Sequence, residues 1–323
     1  MNRTRLIIDT DPGVDDAVTI LLALVSAEIE VLGITVVAGN VPLEATLANA
    51  CRVVAMSGRR DVPVLAGAAG PLLRDQIFGK YAAIGAFPER LVGTGRVTPA
   101  ADRAAVFIAR QARAAAEAGD PLTICAIGPM TNIALALRLH PDVARGIGRI
   151  VCMGGAFTAL GNRVAWAEFN MLADPHAAEI VFGAGIPLVL FPLDVTTQAL
   201  FTAANIARLG ETGGKPGRAI AALLTEYDRD DVVRYGRPGG PLHDPMTVAW
   251  LLAPELFSGR PARVGIQIGG TASGHVFADF KDDTSATVVM REVDEDGYIG
   301  LILDRIARYG VARQPLTADG RTS

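Results

Sequence analysis

Leu6-Ile7-Ile8-Asp9-Thr10-Asp11-Pro12-Gly13-Val14-Asp15-Asp16-Ala17 carries the decisive pattern of this chain. An apolar strand, Leu6-Ile7-Ile8, enters a turn holding Pro12 and Gly13. The turn opens an apolar helix, Ala17 to Leu24. A strand that passes directly into a helix starts a parallel strand–helix–strand unit. Open sheets of such units take their ligands at the C-terminal ends of the strands. Four carboxylates, Asp9, Asp11, Asp15 and Asp16, crowd this turn. Like charges so close repel unless a cation sits among them. Hard carboxylate oxygens on a tight glycine turn suit Ca²⁺ or Mg²⁺ rather than zinc. An aspartate at a helix start also caps free N–H groups and favours the helix dipole. That explains one or two of the four, so the turn is expected to be a divalent-metal site.

The alternation continues outward. A β-branched strand, Ile29 to Val37, ends in Ala38-Gly39-Asn40, and Pro42 opens a helix through Met56 that Gly58 stops. Val62 to Leu65 reads as a short strand. Residues 67 to 98, rich in Gly and aromatics, read as a long loop, of a length that in a compact domain is usually functional or mobile. An alanine-rich helix, Ala100 to Ala118, precedes the buried strand Leu122 to Ala126, the turn Ile127-Gly128-Pro129 and a helix to His140. The strand Ile150 to Met153 leads to a second long loop, Ala156 to Ala173. Asp174-Pro175 then starts a helix, and Leu188 to Phe191 is a further strand. Thr202 to Tyr235 reads as helical, broken at Gly213-Gly214. His243-Asp244-Pro245 precedes the helix Met246 to Leu252. Arg263 to Ile268, His275 to Asp279 and Ala286 to Met290 read as antiparallel strands, and Tyr298 to Arg308 as an amphipathic helix. The chain looks frayed from Gln314. The expected fold is α/β: an open, mostly parallel, doubly wound sheet with extra C-terminal strands and helices, in one domain spanning 1–323.

Composition narrows the class. The chain has 323 residues, 50% hydrophobic, with a formal net charge of −4 and no basic run, which argues against a nucleic-acid partner. No apolar run reaches membrane-span length, and none resembles a signal-peptide core. Cys51, Cys125 and Cys152 sit in apolar surroundings and read as buried thiols of a reducing compartment, so the expected address is the cytoplasm.

Several polar residues fall on one edge of the expected sheet. Asp11, Asp15 and Asp16 follow the first strand, Asn40 the second, and the Ile127 turn a central one. The segments Asn162 to Asn170 and His243-Asp244 join them if their loops fold over that edge. Each has an ordinary local explanation: turn chemistry for Asn40, an N-cap for Asp244 as for Asp174, a solvated loop for Glu168. Their common placement is what points to a site.

On these residues the chain resembles the inosine–uridine-preferring nucleoside hydrolases. Its N-terminal run is close to that family's DxDPGxDDA signature. Val36-Val37-Ala38-Gly39-Asn40, Gly128-Pro129-Met130-Thr131-Asn132, Met153-Gly154-Gly155, Ala167-Glu168-Phe169-Asn170 and His243-Asp244 match in the same order. The resemblance implies hydrolysis of a ribonucleoside N-glycosidic bond, with a role in purine or pyrimidine salvage. It implies one Ca²⁺ per subunit held by Asp11, Asp16, Asp244 and the carbonyl of Ile127. Asp11 would be the general base on the attacking water and His243 the general acid. Asp15 and Asn40 would bind the ribose diol, and Asn162, Glu168 and Asn170 the other sugar hydroxyls. Phe169 and Met153 would line the pocket. Inversion at C1′ and a homodimer or homotetramer are also implied. Two departures stand out. Ile77-Phe78-Gly79-Lys80-Tyr81 has no histidine where the family often carries one, and Trp166 and Trp250 stand in the wrong contexts for a base sandwich. A broad or pyrimidine-preferring enzyme is expected, and Tyr227, Arg234 and Tyr235 read either as a mobile lid over the base or as a solvated helix face. The rival readings are a Mg²⁺-dependent phosphatase, with Asp9 or Asp11 as nucleophile, and an inactive sugar- or nucleoside-binding protein on the same fold.

Overall fold

In a computed structural model of the chain, which describes residues 3–80, 82–227 and 231–311, strand β1 (Thr4–Thr10) lies near the middle of an eight-stranded sheet. The chain first builds to one side, through β2 (Ile29–Val36) and β3 (Val64–Ala66). It then crosses β1 and builds to the other, through β4 (Leu122–Ala126), β5 (Ile147–Met153) and β6 (Leu188–Phe191). The order is β3-β2-β1-β4-β5-β6, and every one of these pairings is parallel. The strand order therefore reverses between β1 and β4. Loops leaving two such neighbours part to opposite faces and open a crevice between them. Asp11 leaves β1 and Ile127 leaves β4 at that crevice.

Period-two alternation sorts the core. Leu6 and Ile8 pack on one face with Ala17, Ile20 and Leu21 of the helix Val14–Val25. Ile7 packs on the other with Phe107, Ile108 and Ile133. Both faces are covered by helices, which is why β4 and β6 are buried throughout and β1 is buried from Leu6 onward. The helices Leu43–Ser57 and Ala104–Ala118 end on Gly58 and Gly119, both at positive φ, as helix C-caps favour.

Beyond β6 come β7 (Leu200–Phe201) and β8 (Gly240–Pro241), an antiparallel pair, then β9 (Phe257–Pro261), β10 (Arg263–Ile266), β11 (Val276–Asp279) and β12 (Val288–Val293). One expectation is corrected here and one strand is added. Only β10 and β11 form the antiparallel hairpin; β12 joins the main sheet, parallel to β6. The strand β9 went unread, and it closes that edge antiparallel to β12. Its burial is weak and its sequence, Phe257-Ser258-Gly259-Arg260-Pro261, lacks alternation, so only the partner strand specifies it. The second long loop also contains an unpredicted short helix, Phe169–Ala173. Among the described residues no helix is long and apolar enough to cross a membrane. The three cysteines are free and buried. The stretch from Gln314 lies outside the described residues.

Candidate active site

Asp11 is fully buried at the end of β1. Its Oδ2 accepts the Asn40 backbone N–H at 2.6 Å, and Asn40 Nδ2 donates to the Asp11 carbonyl at 3.1 Å. Its Oδ1 is buried with no hydrogen-bond partner. Burial, then the charge of Asp16, holds this carboxyl well above the usual range, against the Asn40 N–H. Glycines make room for it. A Cβ on Gly39 would stand 2.1 Å from Oδ2, and one on Gly128 would stand 2.6 Å from Oδ1.

Asp16 accepts from the Thr10 hydroxyl at 2.6 Å and from the Gly13 N–H at 2.9 Å, so it does back-cap the helix it sits on. Burial and the Asp15 charge push it up to about 6, against those bonds. Asp15, Asp16 and Asp244 each offer an oxygen, and these atoms lie within 4.8 Å of one another. Asp244 arrives there from a distant helix start. The two Asp-Pro helix starts differ in conformation. Asp174 caps its helix by accepting the Ala177 N–H at 3.0 Å, whereas Asp244 has helical backbone angles and makes no capping bond. Its side chain is turned instead toward Asp16.

The expected quartet at the turn is a trio. Asp9 points to the opposite face, where it accepts from Thr35 Oγ1 at 2.6 Å and Asn132 Nδ2 at 2.9 Å. Alternation along β1 sends Thr10 toward Asp16 and therefore Asp9 away from it. Burial pushes Asp9 up to about 7, against these two bonds. Asn132 also accepts the Ala68 N–H at 2.8 Å, so it joins the root of the first long loop to β1.

The second long loop closes the far wall. Asp194, on the turn after β6, accepts from the N–H groups of Phe157 and Thr158 at 2.8 and 2.7 Å and fixes the loop's start. Glu168 caps the short helix, accepting from Asn170 N at 2.9 Å, Met171 N at 3.2 Å and Gly155 N at 3.2 Å. Burial pushes it up to about 7 against these N–H groups. Asn170 Nδ2 is 3.2 Å from the carbonyls of both Ile127 and Met153, and Asn162 Oδ1 accepts the Phe169 N–H at 2.8 Å. His243 Nδ1 lies 2.7 Å from Thr196 Oγ1.

Asp15, Asn40, Ile127, Met153, Asn162, Glu168, Phe169, Asn170, His243 and Asp244 all line one cavity of about 280 Å³. Tyr227, Asp231, Arg234 and Tyr235 line it too; residues 228–230 of that segment, and Tyr81, lie outside the described residues. Lys80 reaches the cavity from the loop that lacks the histidine, and Phe87 enters it with its ring edge-on to Tyr227. Neither tryptophan lines it. Trp166 donates to the Ser273 carbonyl at 3.3 Å, and Trp250 carries the Arg149 guanidinium over its ring. Sequence reasoning passed over Thr196, Asp194, Lys80 and Phe87. Only the place of Thr196 and Asp194 just beyond a strand end could have flagged them.

Carboxylates and amides gathered over the switch point of a parallel sheet, around one polar cavity, have the make-up of an α/β enzyme site for a hydroxyl-rich ligand. Residues 6–300 match the family model of the inosine-uridine preferring nucleoside hydrolases, and the chain belongs to that family. It is thus an enzyme acting on N-glycosidic bonds, and the phosphatase and inactive-binder readings fall. The chain is 42% identical over 314 residues to an uncharacterized protein of Schizosaccharomyces pombe, covering 94% of this chain and 99% of that one. It is 40% identical over 312 residues to the pyrimidine-specific ribonucleoside hydrolase RihA of Citrobacter koseri, with 94% and 98% covered. The solved structure of a purine-preferring ribonucleoside hydrolase from Gardnerella vaginalis superposes with a TM-score of 0.83 at 31% identity, covering 95% and 99%.

Proposed function

We propose that this enzyme is a calcium-dependent ribonucleoside hydrolase that inverts C1′ and releases ribose and a free base, with pyrimidine or broad base preference. One observation carries the metal: the oxygens of Asp15, Asp16 and Asp244 gather within 4.8 Å of one another; Asp11, whose carboxyl feels the charges of Asp16 and Asp15, supports it with a buried Oδ1 that has no partner. An all-oxygen donor set of buried like charges fits a hard cation, and Ca²⁺ accepts the high coordination number that added sugar hydroxyls require. Asp11, Asp16, Asp244 and the Ile127 carbonyl would hold it. When bound, it anchors the ribose diol and makes water a better nucleophile at neutral pH.

The protein's own groups do the rest. Asp15 and Asn40 bind the diol beside the carboxylates, and Asn162, Glu168 and Asn170 hold the remaining sugar hydroxyls. Met153 and Phe169 exclude water from the sugar. Asp11 takes a proton from the attacking water as its oxygen bonds to C1′. The C1′–N bond breaks and its electron pair leaves with the base, which receives a proton from His243. The carboxylates stabilise the positive charge that grows on the sugar more than they stabilise the neutral substrate, and this difference accelerates the reaction. Attack opposite the leaving base inverts the anomeric carbon. The pyrimidine lean is supported by the RihA relative and by a cavity without a tryptophan. Buried free thiols support a cytoplasmic address. A homodimer or homotetramer and a single domain over 1–323 complete the reading.

Reducing-sugar release from a panel of ribonucleosides, before and after exhaustive chelation and with Ca²⁺ restored, tests it. Ribose release that disappears on chelation, returns with Ca²⁺ and is abolished in Asp11→Asn is the expected result. Full turnover in protein verified metal-free would overturn the calcium reading, and an active Asp11→Asn would overturn Asp11 as base.

A further inference from the structure

We propose that Thr196 is a positioning residue for the leaving-group step. It engages Nδ1 of His243 and so keeps Nε2 as the ring nitrogen presented to the substrate. This rests on the reading of His243 as proton donor.

The fold builds this contact from two distant segments. After β6, Pro192 starts a single helical turn, Leu193–Thr196, which carries Thr196 into the interior, where it is fully buried. The β7–β8 pair then brings the second segment alongside. Leu200 pairs with Pro241 and Phe201 with Gly240, which sets His243, just past β8, opposite Thr196, just before β7. The backbone next to His243 is pinned as well: the Tyr298 hydroxyl donates to the Leu242 carbonyl at 2.7 Å.

With the backbone held, a half-turn of the imidazole about Cβ–Cγ would put Cδ2 in the place of Nδ1 and Cε1 in the place of Nε2, taking the proton-bearing nitrogen away from the cavity. The 2.7 Å contact between Oγ1 and Nδ1 opposes that flip, because the flipped ring would offer the hydroxyl a carbon. The neighbouring residue shows the alternative use of a helical threonine: the Thr197 hydroxyl donates back to the Leu193 carbonyl at 2.7 Å. Thr196 turns its hydroxyl to the histidine instead. A buried hydroxyl needs a partner, and this one serves the ring that lines the cavity. A hydroxyl also both donates and accepts, so it stays bonded to Nδ1 whether or not that nitrogen carries hydrogen. The ring can therefore give up its Nε2 proton without losing its orientation.

Thr196→Val keeps the shape and removes the bond. Its kcat on uridine or inosine should fall by roughly tenfold or more, since a well-placed general acid contributes ~10²–10⁴-fold and a freely turning ring forfeits part of that. Its kcat on nitrophenyl riboside, whose leaving group needs no proton, should stay within about twofold, with KM little changed for either substrate. Thr196→Ser, which restores the hydroxyl, should recover the natural substrates. Thr196→Ala gives the same split if the valine variant folds poorly. Equal losses on both substrates, or no loss on either, would overturn the proposal while leaving His243 in place. His243→Ala is run in parallel. If that variant loses both substrates equally, the donor reading itself falls and the proposal with it.

Discussion

Gly39 and Gly128 do their work by having no side chain. Both press against the Asp11 carboxylate so closely that a methyl group would collide with it. Gly39→Ala should therefore shift Asp11 and lower kcat by about 100-fold, the cost that an ångström of misplacement carries. Far-ultraviolet circular dichroism should be unchanged, and wild-type turnover in this variant would contradict the packing argument. Single residues were legible where their chemistry is local. Asp11, Asp15 and Asp16 announce a site by density of charge alone. Asp9 belongs to the same run but serves another face, because side chains on a strand alternate and Asp9 shares the face of Ile7 rather than that of Ile8. Thr196 carries no mark in the sequence, since an isolated threonine after a strand is ordinary.

Two helix starts with the same Asp-Pro signature diverge in role. Asp174 accepts from Ala177 N, from Leu72 N at 2.9 Å and from Thr131 Oγ1 at 2.7 Å, and so joins a helix, the first long loop and the turn after β4. Asp174→Ala should cost about 2–4 kcal/mol of stability in denaturant unfolding, from a lost cap and stranded donors. Asp244→Ala should change the stability of metal-free protein by less than about 1 kcal/mol, because it removes one of several crowded like charges. It should instead abolish Ca²⁺ binding in calorimetry. A large stability loss in Asp244→Ala with Ca²⁺ affinity intact would make it the cap after all. The signature promised a cap in both places; the backbone conformation of Asp244, set by the β8 segment before it, withholds it in one. Helices and central strands were read well because each carries its own periodicity. The strand β9 was missed and β12 was given the wrong partners, because edge strands take their identity from a neighbour far away in the chain.

The molecule as a whole keeps several carboxyls buried in its site and beneath it. Asp9 and Glu168 are pushed up to about 7, Asp16 to about 6, and Asp11 well above its ordinary value, in each case first by burial. Folded pKa values above unfolded ones mean that the native chain binds more protons between about pH 4 and pH 7. Stability contributed by these groups is therefore full below about pH 4 and lost as pH rises through about 7. Chelated protein should show a melting temperature that falls between about pH 5 and pH 8. Added Ca²⁺ should raise it, and by more at the higher pH, where the carboxylates are free of protons. A melting temperature of chelated protein that rises over this interval, or a Ca²⁺ effect that shrinks with pH, would sink this account.

Buried apolar runs alternating with amphipathic ones, and aspartates massed on a strand-to-helix turn, were enough to derive a parallel α/β sheet with an acidic centre at its strand ends, because periodicity and charge density are properties of neighbours in the chain. Which carboxylates meet, which one turns away, which oxygen is left without a partner and which threonine holds the histidine were decided by packing between segments far apart in sequence. Those contacts depend on the direction each side chain takes once the sheet and its loops have closed, and a linear pattern carries no record of direction.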